Sequence, residues 1–182
     1  LNVENLSHSF GDRVIFDDVS FRLLKGEHIG LIGANGEGKS TFMKIVTGQL
    51  IPEEGKVEWA KHVITGYMDQ TAILTKGSTI RMVLQTAFDE LFEMESRMNQ
   101  LYMDMADDSI TEAQMDEMMS EAGSLADVLN AHDFYMIDAK IDEVSRALGL
   151  YDLGLDRDVV DLSGGQRTKV LLAKLLLQKP DI

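Results

Sequence analysis

The hydrophobic positions change period part-way along the chain. Val3 to Phe10 alternates roughly between apolar and polar residues, and Gly11-Asp12 then marks a turn, so the opening residues predict a strand entering a hairpin. Val14-Ile15-Phe16 and Val19 to Leu24 continue as short strands up to the turn residues Lys25-Gly26-Glu27. His28 to Ile32 is a brief apolar run, the pattern of a buried parallel strand. A glycine-rich turn follows, then a helical stretch from Thr41 to Leu50, a turn at Pro52-Glu53-Glu54-Gly55, and strands over Lys56–Ala60 and His62–Met68. Strand, glycine loop, helix and further strands predict an α/β fold with a parallel core around the glycine loop.

Beyond Ser78, an N-cap residue, neither Gly nor Pro occurs from Thr79 to Ala122. Leu84, Ala87, Leu91, Met94, Met98, Leu101 and Met105 step by three and four, a heptad seam. Asp107-Asp108-Ser109 interrupts it, Thr111 with Gln114 has the form of a capping box, and Met115, Met118, Ala122, Leu125 and Leu129 resume the stepping. Two amphipathic helices joined by a short polar turn predict an antiparallel hairpin over about 83–130, its first helix ~30–40 Å long. A third helix, Met136 to Leu148, stops at Gly149, and a last one follows Leu162-Ser163-Gly164-Gly165-Gln166 and runs to about Gln178. The expected organisation is a core with a β subdomain over 1–77, a helical subdomain with the hairpin arm over 78–150, and a return to the core over 151–182.

Charge sharpens the division. Of the formal net charge of −14 in 182 residues, Asp89 to Glu143 carries all: sixteen Asp/Glu against Arg97 and Lys140. Seven of the eleven methionines fall between Met94 and Met119. The arm is either a solvated acidic face or a surface for a partner. Cysteine is absent, which excludes disulfides, thiol chemistry and cysteine zinc sites. No signal-like start and no run of about 18 apolar residues is present, so a cytoplasmic protein is expected. The first residue is Leu1, not Met, so the chain is expected to be part of something longer.

Two motifs carry the chemistry. Gly33-Ala34-Asn35-Gly36-Glu37-Gly38-Lys39-Ser40 fits G-x-x-x-x-G-K-[ST], between an apolar run and a helix. Glycines let the backbone wrap phosphates with its N–H groups inward, and the helix that starts there adds the positive end of its dipole. Lys39 can neutralise the outer phosphates and the Ser40 hydroxyl can ligate Mg²⁺. The glycine spacing G-x-x-G-x-G excludes a dinucleotide fingerprint. The second motif is Leu162-Ser163-Gly164-Gly165-Gln166, two glycines at a helix start with Ser163 as a further donor.

Together and in this order the motifs resemble the ATP-binding cassette (ABC) family, from Leu1 to Ile182 in essence. The resemblance implies a P-loop NTPase fold of ABC type, with an antiparallel β subdomain and an inserted α-helical hairpin arm. It implies ATP (or GTP) with Mg²⁺ as cofactors, held by Gly33 to Thr41. It gives Phe10 the role of stacking on adenine. Gln70 matches the family's Q-loop glutamine, which reaches Mg²⁺ and the attacking water; with Ser40 it would be a metal ligand. Leu162 to Gln166 would close on the nucleotide of a second cassette, the expected partner.

The helical insert from Thr71 to Leu162 looks like that of the soluble F subfamily, whose two-cassette chains act on the ribosome. The expected function is then ATP-driven closure of a cassette pair in a translation factor. The alternatives are the nucleotide-binding subunit of a transporter, or a non-catalytic ATP-gated scaffold. The acidic arm suits phosphate-rich RNA poorly, so it meets a protein or leaves RNA to other parts of a larger chain. The family's metal-side Asp and catalytic Glu belong to a strand that would follow Ile182. No catalytic residue other than a positioning Gln70 is therefore expected within these residues.

Overall fold

A computed structural model of the chain describes residues 1–182 apart from 69–73 and 108. It divides into two units: Leu1–Tyr67 with Pro180–Ile182, and Met68–Lys179.

The first unit holds β1 (Asn2–Phe10), β2 (Arg13–Arg22), α1 (Lys39–Val46) and β3 (Glu54–Glu58). The sheet has the order β2-β1-β3, and both pairs are antiparallel. The Gly11-Asp12 turn sets Phe10 opposite Arg13. Alternation along β1 slips between Val3 and Leu6, where Asn5 (φ 49°) faces a second left-handed residue, Asp18 (φ 49°), and donates to its carboxylate at 2.7 Å. The slip is why Val3, Leu6 and His8, rather than every second residue, are buried. Val3 and Leu6 pack on Ile45 and Val46 of α1, with Phe42 of the helix against Phe16 and Phe21 of β2. The Trp59 indole N–H donates to the Val46 carbonyl at 2.7 Å, satisfying one of the carbonyls that a helix end leaves open.

Two expected strands are not formed. Neither 28–32 nor 62–68 lies in the sheet, so the parallel core is absent among the described residues. An apolar run becomes a strand only where a neighbour takes its backbone groups. Among the described residues, 64–66 exchange bonds with the 181–182 segment: Asp181 N–H to the Ile64 carbonyl at 2.8 Å, and Gly66 N–H to the Ile182 carbonyl at 2.8 Å. Ile29 and Leu31 line an apolar cavity of about 330 Å³ with Phe21, Phe42 and Trp59, instead of filling a sheet interior. Helix α1 also stops short of Leu50: Gly48 turns left-handed (φ 76°), and the N–H groups of Gln49 and Leu50 both close on the Lys44 carbonyl.

The second unit is helical: α2 (Ile80–Gln85), α3 (Asp89–Asp104), α4 (Glu112–Ala131), α5 (Ile137–Ala147) and α6 (Gly164–Gln178). The helical stretch starts at Thr79, whose hydroxyl accepts the Met82 N–H, and not at Ser78. A 3₁₀ turn at Thr86–Phe88 divides it into α2 and α3. Helices α3 and α4 run antiparallel, with Arg97 Nε and Nη2 bidentate on Glu121 at 2.8 and 3.0 Å. Thr111 and Gln114 form the expected capping box at the start of α4. Met98, Leu101, Ala122 and Leu129 of the seam belong to one core with Ile141, Val170 and Leu177. Upstream of α6, the 77–81 and 155–159 segments are laced together. Ile80 and Arg81 N–H donate to the carbonyls of Arg157 and Leu155, and Gly77 N–H donates to Asp158 Oδ2 at 2.9 Å. No helix among the described residues is long and apolar enough to cross a membrane.

Candidate functional site

The glycine loop of the first unit is built from its backbone outward. Gly36 (φ 86°) and Gly38 (φ 93°) both take left-handed conformations, and Gly38 is the N-cap of α1. A Cβ on Gly38 would run into the Ile15 side chain and approach Phe16 to 3.3 Å, so the loop lies hard against β2. Lys39 folds its ammonium back over the loop, donating to the carbonyls of Gly33 and Ala34 at 2.8 and 2.7 Å. Glu37 Oε2 accepts the Ala34 N–H at 2.6 Å. Ser40 is exposed in the first turn of α1, next to the half-buried Lys39 and Thr41. The first turn of a helix has N–H groups with no partner behind them, so this end of α1 favours an anion.

Phe10 stands at the tip of the β1–β2 hairpin, 55% exposed, its ring edge-on to His8 at 4.9 Å. Across the hairpin, Arg13 Nη2 donates to the Gly36 carbonyl at 2.8 Å, which ties the hairpin that carries Phe10 to the glycine loop. A two-residue turn makes the Phe10–Arg13 pairing legible in the sequence. That the guanidinium reaches Gly36 is visible only in three dimensions.

The second motif opens α6 in the other unit. Ser163 is the N-cap: its hydroxyl accepts the Gln166 N–H at 3.3 Å, while Gln166 Oε1 accepts the Ser163 N–H at 2.8 Å. Leu162 is buried, and a Cβ on Gly164 or Gly165 would meet nothing within 4 Å. These two glycines therefore leave open surface over the helix start. Arg167 braces the turn from behind, donating to the carbonyls of Leu162 (3.1 Å) and Val160 (2.8 Å). A cation in the first turn opposes the helix dipole, a signal in the sequence that its job is tertiary. Gln70 lies outside the described residues.

A strand hairpin braced on a glycine loop, and a second glycine pair at a helix start, agree with what the family comparison returns: the ABC transporter model matches residues 16–182. The chain belongs to the ABC transporter family. The ABC transporter ATP-binding protein YfmM of Bacillus subtilis is 61% identical over the whole chain, which covers 35% of YfmM. The energy-dependent translational throttle protein EttA of Escherichia coli K12 is 32% identical over 93% of the chain and 30% of EttA. ABC transporter F family member 2 of Arabidopsis thaliana is 31% identical over the whole chain and 27% of its own length. The chain thus spans about a third of the length of the curated relatives it matches.

Among solved structures, the ATP-binding subunit of an ABC transporter superposes with a TM-score of 0.64 at 20% identity, over 98% of this chain and 62% of that one. An ATP-binding cassette of an ABC transporter gives 0.56 at 24% identity, over 98% and 65%. These likenesses establish the fold: an ABC ATPase nucleotide-binding domain with a small antiparallel sheet and helices. ABC domains bind ATP with Mg²⁺, and the residues of this ABC domain suit the phosphates. The glycine loop has its left-handed turns at Gly36 and Gly38, the Lys39 ammonium donates to the carbonyls of Gly33 and Ala34 at its start, and a hydroxyl stands at the helix start.

Proposed function

We propose that the chain is the nucleotide-binding part of an ATPase of the F subfamily, acting in the cytoplasm on the ribosome. The loop geometry carries the ATP half of this reading. Gly36, Gly38 and the first turn of α1 would offer backbone N–H groups to an anion, with Lys39 in the same turn. Phosphates arriving there compete with the Gly33 and Ala34 carbonyls for the Lys39 ammonium. Phe10 offers an exposed ring face for the base. Among the described residues, no three His, Asp or Glu side chains converge on one point. As the family resemblance implies, a bound Mg²⁺ would be held by the Ser40 hydroxyl and the phosphates, with Gln70 as a further ligand, and it would supply charge neutralisation on the phosphoryl oxygens. Leu162 to Gln166 serve the nucleotide of a second cassette, which fits their open glycine surface.

The translational half rests on the α3–α4 hairpin and on the 32% identity with a translational throttle protein. A second reading, a transporter subunit, is favoured by the superposition on transporter ATP-binding subunits. The test is to follow the intact protein in cell extracts with ATP and with ADP. ATP-dependent co-sedimentation with ribosomes, lost in Lys39→Ala together with nucleotide binding by calorimetry, is the expected result. Recovery with membranes would select the transporter reading. Full ATP affinity in Lys39→Ala would overturn the loop assignment.

A further inference from the structure

Glu37 turns its side chain back into its own loop. Oε2 takes the Ala34 N–H at 2.6 Å, and a Cβ on Gly33 would lie 2.7 Å from that oxygen, so Gly33 leaves room for the carboxylate. Lys39, the cation of the loop, is engaged with the Gly33 and Ala34 carbonyls. Among the described residues no basic side chain forms an ion pair with Glu37. Arg13, the other base at the loop, is turned to the Gly36 carbonyl. The loop read as the nucleotide loop therefore holds a carboxylate of its own on one of its N–H groups, with no ion pair to it among the described residues.

We propose that Glu37 sets the nucleotide affinity of the loop: its hydrogen bond holds the loop in shape, and its charge weakens the grip on polyphosphate. The inference rests on the reading of Gly33–Thr41 as the nucleotide loop. The two effects have opposite signs and separable chemistry. The hydrogen bond needs only an acceptor oxygen, whereas the repulsion needs the charge. Because the loop is exposed, the repulsion is that of charges in a high dielectric, modest in size and screened by salt.

Glu37→Gln keeps an acceptor at the same reach and removes the charge. The expected result, by calorimetry on the intact protein, is ATP binding about three- to tenfold tighter than wild type at low salt. The gain should be larger for ATP in EDTA than for MgATP, which carries less charge, and should shrink in 1 M salt. Glu37→Ala removes acceptor and charge together and should gain less than Glu37→Gln. Thermal melting without nucleotide confirms that each variant is folded. Affinity of Glu37→Gln equal to or below wild type, or a gain indifferent to Mg²⁺ and salt, overturns the proposal while leaving the loop assignment standing. Binding that does not depend on Lys39 in either background overturns the loop assignment, and this proposal with it.

Discussion

Alanine at Gly38 tests how the glycine loop is seated, because it imposes two costs that a second substitution can separate. The first is conformational. Gly38 sits at φ 93°, ψ 5°, where a residue with a Cβ is strained by about 1–3 kcal/mol. The second is steric. The new Cβ would collide with Ile15 Cγ2, a methyl on a β-branched side chain that cannot swing away, with Phe16 at 3.3 Å closing the alternative. Overfilling of that kind costs a further 1–3 kcal/mol, roughly. If the anion site requires this loop shape, a combined loss near 3 kcal/mol lowers ATP affinity by more than about a hundredfold. Ile15→Ala in the Gly38→Ala background removes the collision and leaves the strain, so about tenfold of the loss should return. Ile15→Ala alone supplies the fourth corner of a double-mutant cycle. The assay is isothermal calorimetry with ATP on the intact protein, alongside thermal melts. Wild-type affinity in Gly38→Ala, or strict additivity of the two substitutions, would refute the contact between loop and β2 as the source of the constraint.

Two further outcomes follow from the helical unit. Met98→Asp places an unpaired carboxylate at a site 7% exposed, which should cost about 3 kcal/mol and speed amide exchange along α3 and α4 while leaving nucleotide affinity unchanged; unaltered protection of both helices would count against the seam. Asp158 is held below the usual carboxylate range by the N–H groups of Val160 and Gly77. Its stabilising effect is therefore present above the unfolded-state value and lost as pH falls through the lower folded value. Asp158→Asn should melt earlier than wild type at neutral pH and match it in strong acid; an offset that persists unchanged into strong acid would contradict this.

The parts of the chain that could be read in advance are those whose causes are local. The capping box at Thr111–Gln114 closes over three residues, and the heptad stepping from Leu84 to Met105 and from Met115 to Leu129 needs only helical geometry to define a face. The glycine spacing from Gly33 to Gly38 was legible for the same reason: it specifies backbone freedom at fixed offsets. What required the tertiary structure is whatever depends on a partner far along the chain. His28–Ile32 and His62–Met68 have strand-like composition, but a ladder is a property of two segments, and among the described residues the second segment is missing or only begun at 64–66. The slip at Asn5 was invisible because it depends on Asp18 across the hairpin. Glycine at 38 could be foreseen from the motif, yet its physical necessity comes from Ile15 and Phe16. Arg13 on Gly36 and Arg167 on Val160 and Leu162 are long side chains whose targets only packing selects. The sequence by itself determined the helical faces of α3 and α4 and the two glycine motifs, because these follow from neighbours within a turn or two. The tertiary structure decided which apolar runs find a ladder and where Arg13 and Arg167 go, because each is a choice among partners that local propensity leaves open.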